Sequence, residues 1–255
     1  MMKKTVIVML LLTVFSSCKK DKDARKPLKQ ETVEEYESDM KKNLNKYVTF
    51  KLTADVSVLT ENEIKMLPIL IKAANKMNDL FWYEAYGNKK QLLDSITDEE
   101  TKQFVEINYG PWDRLNNNSS FVEGIGEKPK GANYYPADMS KAEFDKFEDT
   151  SKSSLYTFVR RNSDGSLKTI PYHIQFASKV KEVSNLLLEA SKLADDEGLK
   201  KYLELRAAAF LNDDYQASDF AWMDMKANTI DIVIGPIETY EDQLFGIKLL
   251  MKAMY

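Results

Sequence analysis

The acids of "NTIDIVIGPIETYEDQLFG" (residues 228–246) are the side chains best placed to do chemistry. Ile230, Ile232 and Ile234 alternate with Asp231, Val233 and Gly235. Ile237, Thr239 and Glu241 then alternate with Glu238, Tyr240 and Asp242. A period of two is that of a strand, so the pattern predicts a strand over 229–242 carrying acids. Acids half-buried on a strand are costly unless they are paired. Lined up beside a groove, they would bind a cation such as the ammonium end of a peptide. An edge strand protected by gatekeeper charges gives the same pattern, and from the residues alone this plainer reading leads.

Other chemistries find less support. A zinc site needs three or four ligands, usually His or Cys. The sequence has one of each, His173 and Cys18, and no H-E-x-x-H. Carboxylates alone would suit calcium or magnesium, but no EF-hand loop occurs. A Ser–His–Asp set could use only His173, in "PYHIQF", and no G-x-S-x-G accompanies it. A satisfied structural histidine is the better reading. Gly124, Gly126 and Gly131 lack dinucleotide-binding spacing. The pairs Asp195–Asp196, Asp213–Asp214 and Glu241–Asp242 could flank a scissile bond, yet such pairs commonly cap helices.

The elements that must position these residues are mostly helical. "ETVEEYESDMKKNLNKY" from Glu31 is acidic first and basic last, as the helix dipole favours. "TENE" at Thr60–Glu63 is a capping box. It opens a long helix with Ile64, Leu67, Leu70, Ile71, Ala74, Met77, Leu80 and Phe81 facing inward, interrupted by Pro68 and closed near Gly87. "TDEE" at Thr97–Glu100 opens another helix, ending near Tyr109. The region 110–138 shows no period, and loops of that length usually do something or pack around something. "SKAE" at Ser140 caps a short helix. "LYTFVRRNSDGSLKTIPYH" is a hairpin about "NSDG". Stripes at Val180, Val183, Leu186, Leu187, Ala190, Leu193 and at Leu199, Tyr202, Leu203, Leu205, Arg206, Ala209, Phe210 predict a helix pair. Ser218 is expected to cap a last short helix.

The 255 residues suffice for one large or two small domains. With 44% hydrophobic residues and only 9 Gly and 7 Pro, a helix-rich globular chain is expected. "MMKK", the apolar run "TVIVMLLLTVF" and "SSC" fit a secretory signal, too short to span a bilayer. The lone Cys18 after two small residues is the expected lipidation site. A charged tether over 19–30 would lead to a folded region over 31–255. An incidental cysteine behind an ordinary signal is the alternative. Removing residues 1–18, with Lys3 and Lys4, takes the formal charge from −4 to −6. Nucleic acid is therefore not an expected partner. The localisation expected is a membrane-anchored lipoprotein, periplasmic or at the cell surface.

Four stretches, the last two sharing residues 213–215, add a resemblance. "FWYEAYGNKKQLL" (81–93), "FVEINYGPWDRL" (104–115), "YLELRAAAFLNDDY" (202–215) and "DDYQASDFAWMDMKANTIDIVIGPIETYEDQLFG" (213–246) resemble the dipeptidyl-peptidase III family of zinc metallopeptidases, most closely its bacterial branch. The resemblance covers roughly 35–255. It implies an α+β, mostly helical fold: the N-terminal lobe of a two-lobed peptidase, with a hairpin and the first strands of a small β-barrel. It implies removal of dipeptides from peptide N-termini. In the family, zinc is held by H-E-x-x-G-H and E-E-C-R-A-[ED] helices that follow the matched region. Neither motif is in this sequence, so zinc is expected only in a full-length relative, and the chain alone is expected to be inactive, with Tyr255 falling inside a family that runs on. By position Asp231 matches the acid that accepts the substrate's terminal amine, whereas the family's aromatic two residues later is Val233 here. Glu238 and Tyr240, with Asp242, match the run that follows, bordering substrate or holding the strand and loop. The expected partners are a peptide substrate or a C-terminal half. The competing reading is a non-catalytic, membrane-tethered lipoprotein that binds peptides or a protein.

Overall fold

A computed structural model describes residues 38–254. The expected signal and tether (1–18 and 19–30), Cys18, the residues from Glu31 to Glu37 and Tyr255 lie outside the described residues. What is described of the first helix is short: α1 (Asp39–Leu44), whose cap Ser38 accepts the Lys41 N–H at 3.0 Å.

The longest helix, α2 (Glu61–Ala85), is built as its capping box dictates. The Thr60 hydroxyl accepts the Glu63 N–H at 3.1 Å, and the Glu63 carboxylate accepts the Thr60 N–H at 2.9 Å. Pro68 sits inside the helix and forfeits one main-chain bond. The helix continues because one face is buried on both sides of it, through Met66, Leu70, Ala73, Ala74, Met77 and Leu80. That face is rotated from the expected one: Ile64 and Ile71 are exposed. Gly87, at φ +115°, closes the helix by donating to the Trp82 carbonyl at 3.2 Å.

Next come α3 (Lys89–Ser95) and α4 (Glu99–Asn108). The cap of α4 is Asp98 rather than Thr97; its carboxylate accepts the Thr101 N–H at 2.7 Å. Tyr109 ends α4 in the left-handed conformation at φ +53°. The irregular region holds only β1 (Trp112–Asp113) and β2 (Ser119–Ser120). Ser140 caps α5 (Lys141–Lys146) as expected. The hairpin about "NSDG" pairs β3 (Thr157–Arg161) with β4 (Leu167–Pro171).

A short α6 (Tyr172–Gln175) leads into α7 (Ala177–Ser191) and α8 (Glu197–Ala209), which pack on each other along the expected stripes. In α9 (Gln216–Asp224) Ser218 is not the cap. It is buried in the first turn, and its hydroxyl donates to the Tyr215 carbonyl at 2.7 Å.

The strand expected over 229–242 is shorter at both ends: β5 (Val233–Glu238). Its partner is β6 (Leu250–Met254), antiparallel, with Val233 facing Met254, Gly235 facing Lys252, and a register shift between Pro236 and Glu238. Pro236 has no N–H for a ladder, and a local irregularity is where a strand tolerates it. The described residues thus form three two-stranded sheets and no closed barrel. The class is α+β and mostly helical. One core joins α2, α7, α8 and β6 around Phe158, Tyr172, Tyr202, Phe210 and Tyr215.

Candidate functional site

The acids of 228–246 separate into two groups. Ile230, Ile232 and Ile234 are buried as the alternation requires, which turns Asp231 outward just before β5. Asp231 is exposed, and the Trp222 indole N–H donates to its Oδ1 at 2.9 Å. A hollow of about 310 Å³ lies there, lined by Trp222, Met223, Met225, Lys226, Asn228 and Asp231. A carboxylate beside an indole N–H and thioether side chains, open to water, can receive an ammonium group.

Past the end of β5, Tyr240 faces a second hollow of about 320 Å³ between α2, the end of α4 and β6. Asn75, Asn78, Phe81, Tyr109 and Lys252 share it. The Phe81 and Tyr109 rings meet edge-on at 4.7 Å, and the Tyr109 hydroxyl donates to Asn78 at 3.0 Å. Lys252 lies 5.6 Å over the Tyr240 ring and 3.5 Å from the Glu238 carboxylate. Burial, then the charge of Glu241, raises the Tyr240 phenol above its ordinary pKa. The structure therefore joins Glu238 with Tyr240 and sets Asp231 apart, in another hollow at the other end of β5.

Glu241 and Asp242 do not alternate across a sheet. Both are buried in the turn after β5. Glu241 pairs with Arg114 and, at 2.8 Å, with Lys128. Burial pushes its pKa up, but the Arg114 hydrogen bond and charge, with Lys128, outweigh burial and hold the carboxyl below its usual range. Asp242 accepts the Tyr135 hydroxyl at 2.8 Å and four main-chain N–H groups, from Leu244, Phe245, Ile247 and Lys248, at 2.9–3.2 Å. Lys248, fully buried, donates to the carbonyls of Lys152 and Ser154 at 2.8 and 2.7 Å and to the Thr157 hydroxyl at 2.9 Å. Burial depresses its ammonium to about 8, against the opposing pull of Asp242. One oxygen of the buried Glu84 accepts the Met251 N–H at 2.8 Å, fixing β6 to α2, and burial raises this carboxyl well above its ordinary pKa.

Sequence reasoning missed Trp222 and Lys252. Each lies on a different element from the residue it meets, so no spacing links them. The signal for Arg114 and Lys128 was weak for the same reason: they reach Glu241 across more than a hundred residues. His173 is satisfied by Asp213, which lies 2.8 Å from its Nδ1. Among the described residues no three His, Cys, Asp or Glu side chains gather as a metal would require. These residues do not fit a zinc centre.

No protein-family model matches the chain. Among curated proteins it is similar to one described as Nudix hydrolase 3 of Arabidopsis thaliana, 28% identical across 82% of this chain and 35% of that protein. Among solved structures it is similar to dipeptidyl-peptidase III from Caldithrix abyssi, at 38% identity and a TM-score of 0.79, covering 84% of this chain and 43% of that one. The dipeptidyl-peptidase III of Corallococcus sp. strain EGB matches at 34% identity and a TM-score of 0.77, covering 84% and 42%. The chain thus spans about a third of the curated relative and less than half of each solved one. The structural matches are higher in identity and compare backbones directly, so they carry more weight than the plant protein's name. In sequence and fold this chain is similar to the dipeptidyl-peptidase III family, over an extent consistent with an N-terminal portion of such a protein.

Proposed function

We propose that this chain supplies one wall of a dipeptidyl-peptidase III-like peptidase, with Asp231 receiving the free amine of a peptide substrate. The observation that carries the reading is the exposed Asp231 carboxylate held by the Trp222 N–H at a hollow of mixed lining, Trp222, Met223 and Met225 with Lys226 and Asn228. The relation to two dipeptidyl-peptidases III supports the reaction class. Glu238 and Tyr240, paired with Lys252, sit at the other hollow. Tyr240 offers a ring to an extended peptide, and Glu238 supports that end of β5 through Lys252.

The chain by itself is proposed to bind without cleaving. Its one His is engaged by Asp213, and its one Cys lies outside the described residues. The H-E-x-x-G-H and E-E-C-R-A-[ED] motifs that the resemblance assigns to zinc are not in this sequence. With a single wall, the Asp231 site is wet, and a charge-assisted contact there is weak. Peptide affinity is expected in the millimolar range.

The test is calorimetric or NMR titration of a tetrapeptide with a free or an N-acetylated terminus. Asp231→Asn should abolish the preference for the free amine. Equal binding of the two peptides by the unaltered chain would refute the role of Asp231. Release of dipeptides from an arylamide substrate by the purified chain would refute inactivity.

Anchoring is a separate proposal, motivated by the apolar run before Ser16, Ser17 and Cys18. Cys18→Ala should move the protein from the membrane to the soluble fraction. An unchanged distribution would leave Cys18 without that role. A tethered, non-catalytic peptide binder would behave alike in these experiments except that no added polypeptide would restore cleavage.

A further inference from the structure

Between α1 and α2 the chain runs through residues 48–58 without entering a helix or strand. Both ends are anchored. The Tyr47 ring packs edge-on at 5.9 Å from Phe104 of α4, and the Thr60 hydroxyl bonds Asp195 at 2.5 Å. The middle is bare. Val48, Phe50, Leu52, Val56 and Val58 are 85, 79, 87, 47 and 69% exposed. Among the described residues, no main-chain N–H of residues 48–56 donates a hydrogen bond; the run ends in a turn, where the Ser57 N–H donates to Asp55 Oδ1 at 2.9 Å and the Leu59 N–H to the Val56 carbonyl at 3.2 Å.

The order of side chains is that of an amphipathic strand. Even positions 48–58 read Val, Phe, Leu, Ala, Val, Val; odd positions 49–57 read Thr, Lys, Thr, Asp, Ser. A β-prone run with open main-chain donors and a continuous apolar side is a template for another strand.

We propose that residues 50–56, the extended part of this run, pair antiparallel with the same segment of a second copy of this chain, about a two-fold axis at Thr53. The sequence is complementary to itself in that register. Phe50 then faces Val56, Leu52 faces Ala54, and Lys51 faces Asp55, whose Oδ2 is left open by the Ser57 bond, twice by symmetry. Opposite charges directly across an antiparallel pair are stabilising. Moving the axis to Leu52 pairs Lys51 with Thr53 and Asp55 with Thr49. Moving it to Ala54 pairs Lys51 with Ser57. Both shifts leave the charges unmatched. A register off by one residue sets apolar positions against polar ones. An isologous contact of this kind closes at two copies, and a single strand pair is small, so the dimer forms only at high protein concentration.

The test is sedimentation of the full chain, with Cys18→Ser, over a concentration series. Lys51→Asp and Asp55→Lys should each weaken the dimer roughly tenfold, and the double variant Lys51→Asp/Asp55→Lys should restore it. Both substitutions are at exposed positions, and circular dichroism verifies that the fold is kept in all three variants. Facing residues on antiparallel strands have Cα atoms about 4.5–5.5 Å apart, within disulfide reach. Thr53→Cys should therefore cross-link copies under mild oxidation, and Thr49→Cys should not. Failure of the double variant to restore the dimer, equal cross-linking at both positions, or a monomer at every concentration would each overturn the proposal. So would a monomeric chain whose residues 48–58 become protected from hydrogen exchange only when the unmatched portion of the Caldithrix abyssi dipeptidyl-peptidase III is added. That result would give the strand to another part of such a protein.

Discussion

Two ends of one short stretch treat their acids in opposite ways. Before β5, Asp231 stands in solvent with one side-chain donor, Trp222. After β5, Glu241 and Asp242 are buried among Arg114, Lys128, Tyr135 and four main-chain N–H groups. A buried carboxylate with both oxygens engaged is part of the frame, because freeing it for a ligand would strand its donors in the interior. A carboxylate whose remaining partners are water can exchange them for a ligand. The comparison assigns structure to one end of the hairpin and recognition to the other.

The largest expected effect is at the buried end. Asp242→Asn turns an amide NH₂ toward donors that need an acceptor. It should cost about 3 kcal/mol or more in chemical denaturation. Glu241→Gln leaves Arg114 and Lys128 beside each other without their counter-charge, for a loss of about 3 kcal/mol. Losses below ~1 kcal/mol would show that the turn is not the frame its bonding suggests.

The Lys248 ammonium sharpens the contrast through pH. Its folded value, about 8, lies below that of an unfolded lysine. Between about pH 8 and 10 the unfolded chain holds a proton the folded chain has released, so stability rises across that window and the full cost of the buried charge applies below it. The slope approaches about 1.4 kcal/mol per pH unit. Lys128, depressed chiefly by burial, adds in the same direction. The phenols of Tyr134, Tyr135 and Tyr172, raised by burial, reverse the trend at higher pH. Lys248→Met should remove one proton's share of the rise, read from denaturation midpoints at pH 7, 8, 9 and 10. An unchanged slope would mean the Lys248 proton is not linked to folding.

The smallest effects belong to the open end. Asp231→Asn should change stability by no more than about 0.5 kcal/mol while removing the preference for a free peptide amine. Glu238→Gln breaks only a half-exposed pair with Lys252, so it too should stay within about 0.5 kcal/mol, and should weaken free and acetylated peptides alike. A large stability loss at Asp231 would erase the distinction between the two ends.

Much of the frame was legible. Thr60 and Ser140 cap their helices as the sequence indicates, and the stripe through Val180, Val183, Leu187 and Ala190 is the buried face of α7. These signals are local: a cap needs three neighbouring residues, and a stripe needs a period. Ser218 misled because the same hydroxyl that caps a helix also bonds back within its first turn. Residues 48–58 carried a period-two pattern as clear as that of 230–234, but nothing in a pattern says whether a strand finds a partner.

What the sequence by itself determined is the helices α2, α4, α5, α7, α8 and α9, the "NSDG" hairpin, the outward turn of Asp231 and the likeness to dipeptidyl-peptidase III. What only the tertiary structure decided is which acids are available. Asp231, Glu241 and Asp242 are the same chemical groups within twelve residues. Their difference comes from Arg114, Lys128, Tyr135 and Trp222, brought in by other elements. Whether a charge is desolvated depends on all the atoms around it, and periodicity along one strand records only the direction in which its side chain starts out.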